Sequence, residues 1–188
     1  SNKNVRSRLM GIPTLISTAT ADGDASVSIT SGITSSYDEY MFVCTDINPG
    51  TDSADFMVQF NVDGQSGFNE TITSAVFATY HNESGSDDTT LAYSAGADLA
   101  QGTGYQYLIQ DGGNGADESG AGILHLFNPA STTYQKHFYG TFTYYHPANY
   151  TQQYYIGGYV NVTGAIDEIS FKINTGTYDG VIQMYGIK

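Results

Sequence analysis

Ala165-Ile-Asp-Glu-Ile-Ser-Phe-Lys-Ile-Asn-Thr-Gly-Thr-Tyr-Asp-Gly-Val-Ile-Gln-Met-Tyr-Gly-Ile187 reads as two short strands about a polar, glycine-marked turn. In its first half, Ile169, Phe171 and Ile173 alternate with Ser170, Lys172 and Asn174, the period of a strand with one dry and one wet face. Thr175 to Gly180 supplies turn residues, and Val181 to Ile187 resumes extended chain. An apolar strand this close to Lys188 is expected to be locked into a sheet, because loose termini are usually polar. The two strands are therefore expected to form a hairpin that closes a β-sandwich.

The same pattern runs back through the chain. Residues 25–30 alternate with Val27 and Ile29 inward, and 37–45 are more continuously apolar, as in a central strand. Asn48-Pro49-Gly50 marks a turn, after which Phe56, Val58, Phe60 and Val62 give the cleanest alternation, ended by Asp63-Gly64. Further strands are expected at 71–80, 105–110, 123–127, 134–145 and 154–162, with an exposed loop at 82–90. Apolar residues nowhere hold helical spacing over three turns. Residues 91–100, interrupted by Gly96, leave room for at most one short helix. About ten closely spaced strands predict an all-β protein, an antiparallel β-sandwich or jelly roll. No period of 20–50 residues emerges, which disfavours a solenoid or propeller.

The 188 residues suit one domain that buries about 70% of its unfolded surface, enough for a core without disulfides. The one cysteine, Cys44, follows Met41-Phe42-Val43 and reads as a small core hydrophobe. Six Lys and Arg against 19 Asp and Glu give a net charge of −13, yet only 13% of residues are charged, half the usual share of about 25%. Neutral polar groups must cover the surface, and binding nucleic acid through a basic face is excluded. No apolar run reaches the length of a membrane helix, so membrane insertion is not expected, and no charged-then-apolar leader opens the sequence. A first residue that is Ser1 rather than Met fits either methionine removal or an excised fragment.

Residues 1–20 differ in chemistry from 21–188, which are assigned to the sandwich. Lys3, Arg6 and Arg8 are half of all the basic residues, and Leu9, Met10, Ile12, Leu15 and Ile16 follow as an apolar segment broken by Gly11 and Pro13. The plain reading is a frayed tail with a first edge strand. The sharper one is a docking arm joining an acidic domain to a larger body, with Lys3, Arg6, Arg8, Leu9, Met10 and Ile12 as its attachment residues.

Catalytic chemistry finds little footing. No Gly-x-Ser-x-Gly elbow occurs, and His81, His125, His137 and His146 form no pair at metal-ligand spacing. His125 lies on the opposite strand face from Leu124 and Leu126. Carboxylates gather in exposed loops such as Asp87-Asp88 and Asp117-Glu118. No enzyme and no cofactor are expected, a secreted glycanase being the least favoured reading. Gly112-Gly-Asn-Gly-Ala-Asp117 matches the first six positions of a calcium-binding nonapeptide, but the apolar eighth position is Ser119 and no second copy stacks on it. A polar loop is the simpler reading, with Asp111 and Asp117 the calcium candidates and Glu118 behind them.

Tyrosine is the distinctive residue. There are 16, with no tryptophan, and eight fall between Tyr134 and Tyr159. Tyr144, Tyr145, His146, Tyr150, Tyr154 and Tyr155 flank one loop. A flat apolar ring with a hydroxyl suits a sugar or a subunit interface, and it equally suits a half-buried strand face. The Asn-x-Ser/Thr sequons at Asn69, Asn82, Asn149 and Asn161 are expected by chance in a chain this rich in Asn, Ser and Thr.

Ile29-Thr-Ser-Gly-Ile-Thr-Ser-Ser-Tyr-Asp-Glu-Tyr40, Gly122-Ile-Leu-His-Leu-Phe-Asn-Pro-Ala-Ser-Thr-Thr-Tyr134, Lys136-His137-Phe138 and the closing segment resemble short structural proteins of marine tailed bacteriophages. The resemblance runs from about Leu15 to the end. It implies a virion-surface β-sandwich appended to capsid or tail, often a homo-oligomer contacting other virion proteins, with no catalytic residues. The expected role is a capsid-decorating or fibre-type protein docked through residues 1–20. The alternative is a receptor-binding or lectin-like tail-fibre module that contacts a host-surface glycan through the tyrosine loop.

Overall fold

The computed structural model describes residues 11–85 and 89–188. Those residues form an all-β, antiparallel sandwich. Thirteen strands run in chain order: β1 (Thr14–Asp24), β2 (Ser26–Ile29), β3 (Glu39–Pro49), β4 (Ala54–Val62), β5 (Ile72–Asn82), β6 (Thr89–Tyr93), β7 (Ala100–Gly102), β8 (Gln106–Gly112), β9 (Gly120–Phe127), β10 (Lys136–His146), β11 (Tyr150–Val160), β12 (Ile166–Ile173) and β13 (Tyr178–Ile187). Three of them, β1, β6 and β7, exceed the about ten expected. No helix occurs among the described residues, and 94–99 are turns and extended chain.

The larger sheet, A, has the order β1-β13-β3-β9-β10-β11-β5-β6, with β7 also on β5; the smaller, B, has β2-β12-β4-β8. The two terminal strands do not form the expected hairpin. β13 pairs with β1 and β3 in sheet A, and β12 pairs with β2 and β4 in sheet B, so residues 174–177 form an arch between layers. Alternation cannot separate these outcomes, because both bury every second residue. The arch lets one continuous segment line both walls of the core: Ile169, Phe171 and Ile173 from one side, Tyr178, Ile182 and Met184 from the other.

Three more chain segments cross beside it, β1 to β2 at Ala25, β3 to β4 at 50–53, and β8 to β9 at 113–119. Their order is the same in both sheets. The crossings are tied to one another. Gly50 N–H donates to the Thr177 carbonyl at 2.7 Å and Ile173 N–H to that of Ala25 at 3.2 Å. Gly176 has φ 70°, and a Cβ there would sit 2.3 Å from Thr51 Oγ1, so conformation and space both require glycine. Buried Asp55 holds the corner: its Oδ1 accepts Asp111 N–H at 3.0 Å, its Oδ2 accepts Asn174 Nδ2 at 2.6 Å, and its own N–H donates to Asn174 Oδ1 at 2.9 Å. Burial raises the Asp55 pKa, and the Asp111 N–H opposes the rise.

Between the layers, Phe56 stacks on Phe171 at 5.8 Å and meets Tyr178 at 5.3 Å and Phe142 at 6.5 Å, while Phe42 meets Phe171 at 5.8 Å. Such rings supply most of the burial energy, about 25 cal/mol per Å² of apolar surface removed from water. β4 is dry on both faces, because loops cover its polar side. Gln59 Nε2 donates to the carbonyls of Glu70 and Gly104, and Asn61 Nδ2 to that of Gln65. Another buried amide, Gln106, accepts Ser74 Oγ–H and donates to the Ala97 carbonyl, holding the 94–105 segment over sheet A's inner face. Cys44 is buried, as expected, and burial pushes its thiol pKa up.

Of the attachment residues, Lys3, Arg6, Arg8, Leu9 and Met10 lie outside the described residues. Ile12 is 88% exposed, and the segment from Thr14 onward is the edge strand β1. A boundary at Thr20 therefore falls inside a strand of the sandwich.

Candidate functional site

The tyrosine loop is the hairpin between β10 and β11. Asn149 N–H donates to the His146 carbonyl at 2.9 Å and Asn149 sits at φ 59°, the turn-plus-left-handed-residue arrangement of three-residue hairpin loops. Pro147 presets the turn's first central position. The strand period then divides the six residues instead of gathering them. Tyr144 and Tyr154 point inward, 3% and 2% exposed, and meet edge-to-face at 5.8 Å; burial pushes both hydroxyl pKa values up. Tyr154 Oη donates to Gln110 Oε1 at 2.7 Å. These two are core residues, which corrects their expected place in a ligand surface. His146 and Tyr150 stack on each other at 4.0 Å, and Tyr145 Oη donates to Asn149 Oδ1. Only Tyr145 and Tyr155 remain on the outer face of sheet A.

That outer face carries aromatic side chains that the tyrosine count alone did not single out. The register places Val43, Ile123, Thr141, Tyr155, Phe77 and Tyr93 side by side across six strands. The neighbouring row runs Met41, His125, Tyr139, Gly157, Ala75. Phe77 and Tyr155 stack at 4.7 Å with 10° between planes, and His125 and Tyr139 at 4.6 Å with 13°. These spacings match the separation of adjacent strands, about 4.7–4.9 Å, so the rings stand upright with their faces toward the next strand. Glu39 Oε1 lies 2.5 Å from His125 Nδ1 and braces the far end of the second stack.

The second stack stops at Gly157. Beyond Tyr139 lies an open hollow of about 340 Å³, floored by Gly157 and Ala75 and walled by Tyr139, Thr141, Tyr155 and Phe77. A second hollow, about 310 Å³, follows along the same strands beside Ala121, Thr143, Tyr145 and Thr151. The two glycines of the Gly157-Gly158 doublet face opposite sides of the sheet, Gly157 to the hollow and Gly158 to the core, and have different causes. At Gly158 a Cβ would lie 2.6 Å from the Thr73 carbonyl oxygen and 2.9 Å from Phe138, so packing forbids a side chain. At Gly157 a Cβ would meet nothing within 4 Å. Glycine inside a strand costs about 0.5–1 kcal/mol against alanine, and Gly157 carries that cost with no neighbour requiring it. A glycine pair inside an otherwise aromatic strand is the sequence signal that would have pointed here.

Elsewhere, the loop from Asp111 to Glu118 closes on itself. Glu118 Oε2 accepts Gly115 N–H at 2.8 Å, and Asn48 Nδ2 donates to the carbonyls of Gly115 and Glu118. Glu118 thus satisfies its own loop's backbone. No group of three or more His, Cys, Asp or Glu that could hold a metal occurs among the described residues, Asp111 and Asp117 included.

One buried group escaped the sequence reading. Lys136 is 0% exposed, and its Nζ donates to the carbonyls of Gly164 (2.7 Å), Tyr134 (2.9 Å), Thr163 (3.1 Å) and Val162 (3.2 Å). It shares inward parity with Phe138 and Phe142, which was the available clue. Its role is to fasten the loop between β11 and β12.

Compared with known proteins, the chain matches no family model and no curated protein.

Proposed function

We propose that the chain is a non-enzymatic structural protein of a tailed-phage particle. It is a capsid-decorating or fibre-type sandwich attached through residues 1–20, displaying the outer face of sheet A. The observation that carries this reading is that face, whose exposed Phe77, Leu91, Tyr93, Ile123 and Tyr139 make it a contact surface. Charge asymmetry supports the attachment end: Lys3, Arg6 and Arg8 stand in a chain of net charge −13, and β1 begins after them at the sheet edge. The test keeps the full chain and reverses the three charges (Lys3→Glu, Arg6→Glu, Arg8→Glu). Binding to particles lacking the protein is expected to fall at least about tenfold, and wild-type binding to weaken as salt rises. Unchanged attachment would contradict the reading.

A second reading, a receptor- or glycan-binding module, is favoured by the hollow between Tyr139 and the Phe77–Tyr155 stack. It shifts the contact surface from the hairpin loop to the middle of the sheet.

A further inference from the structure

We propose that the hollow over Gly157 binds the ring of a neutral hexopyranose, laid against the free face of Tyr139. The inference rests on the glycan-binding reading above and not on attachment to a particle. On the β9 side Tyr139 is covered by His125 and Phe127, and on the β11 side its neighbour, Gly157, has no side chain. A ring seated there would be the next member of the stack. The volume, about 340 Å³, lies within the 300–1,000 Å³ of small-molecule sites.

Charge selects among small ligands. No charged side chain lines the hollow, and Glu39 is paired with His125 on the far side of Tyr139. In a chain of net charge −13, an anionic sugar is disfavoured and a cation finds no carboxylate. A pyranose offers a C–H face to the tyrosine ring and hydroxyls to the rim. Thr141, Tyr139 and Tyr155 supply donors and acceptors there. The continuation of the groove distinguishes a sugar from an inserted aromatic side chain. Thr143 and Thr151, their hydroxyls 3.5 Å apart, line the second hollow with Tyr145, a polar subsite placed for the next residue of an oligosaccharide. Gly157 is the specificity element, since any side chain on it would stand in the ring's place.

The test is an aromatic NMR titration of the full chain with neutral gluco-, galacto- and manno-tetraoses. Expected is a Kd of about 0.1–10 mM for at least one, with shifts at Tyr139, Tyr155 and Phe77 and none at buried Phe171. Gly157→Val is expected to keep or raise Tm and to weaken binding at least about tenfold, and Tyr139→Ala to weaken it similarly. No response at about 20 mM of any of the three sugars, or undiminished binding by Gly157→Val, would overturn the proposal. A Gly157→Val chain that fails to fold would overturn the open-floor argument, with Ala75→Val left to close the same hollow. If Gly157→Val loses self-association or particle binding while no sugar binds, the occupant is a protein and the proposal is wrong. Sugar binding lost with particle attachment kept would separate this site from the attachment end.

Discussion

Replacing Lys136 with methionine isolates the one buried cation described above. Methionine keeps most of the side chain's volume and apolar stem but donates to none of the four carbonyls that Nζ reaches at 2.7–3.2 Å. Burial lowers the Lys136 pKa, whereas the four carbonyls favour the ammonium, which offers three N–H donors where the neutral amine offers two. A carbonyl stripped of its partner costs about 1–3 kcal/mol if it stays dry. Carbonyls of this loop can regain water on one side, and the desolvation cost of the amine disappears with it. Netting these gives a loss of about 2–4 kcal/mol. At about 2–4 °C per kcal/mol for a chain of this size, Tm should fall by about 4–16 °C. Thermal and urea denaturation at neutral pH measure the loss. Hydrogen exchange should show faster exchange at residues 161–166 than in the Phe56 core. A Lys136→Met protein as stable as wild type, or more so, would refute the reasoning, because it would mean that desolvation outweighs the bonds.

Phe171→Ala removes the ring shared by Phe42 and Phe56 and should cost about 3–5 kcal/mol, read by urea denaturation. The glycine doublet gives a paired test: Gly158→Val should cost over about 2 kcal/mol through the clash with Thr73 and Phe138, while Gly157→Val should be neutral or stabilising. His146 Nδ1 accepts Ala148 N–H, and burial lowers the imidazole's pKa. The unfolded chain therefore binds the proton more readily, so this group's contribution to stability should rise with pH between the folded value and about 6.5 and stay level on either side of that window. His146→Gln should flatten Tm in that window, and an unchanged pH profile would count against this placement.

Period-2 alternation made most strands legible, because one face of each meets the apolar core and the hydrophobic effect writes that face into the sequence. It was clearest at Phe56, Val58 and Phe60, although loops also cover that strand's polar face. Connectivity was not legible in the same way. Ile169 to Met184 alternates identically whether its halves pair with each other or cross between layers, and the choice depends on contacts with Thr51, Asp55 and Ala25, distant in sequence. β1, β6 and β7 were missed or left as an option because edge strands are half exposed and carry a weak pattern. The candidate site was partly legible. Tyrosine density pointed to β10 and β11, but density along a chain does not say which rings share a face. Parity removed Tyr144 and Tyr154, and cross-strand register brought in Phe77, Tyr139 and Gly157.

As proposed above, the chain is a particle-surface sandwich whose outer sheet face is its working surface. A reconstruction of particles carrying the protein tests it in one measurement. The account predicts sandwich density on the particle exterior, with β1 and residues 1–10 toward the body and Phe77, Tyr139 and Tyr155 open to the medium. Density with that face pressed against the particle, or particles without this sandwich, would contradict it.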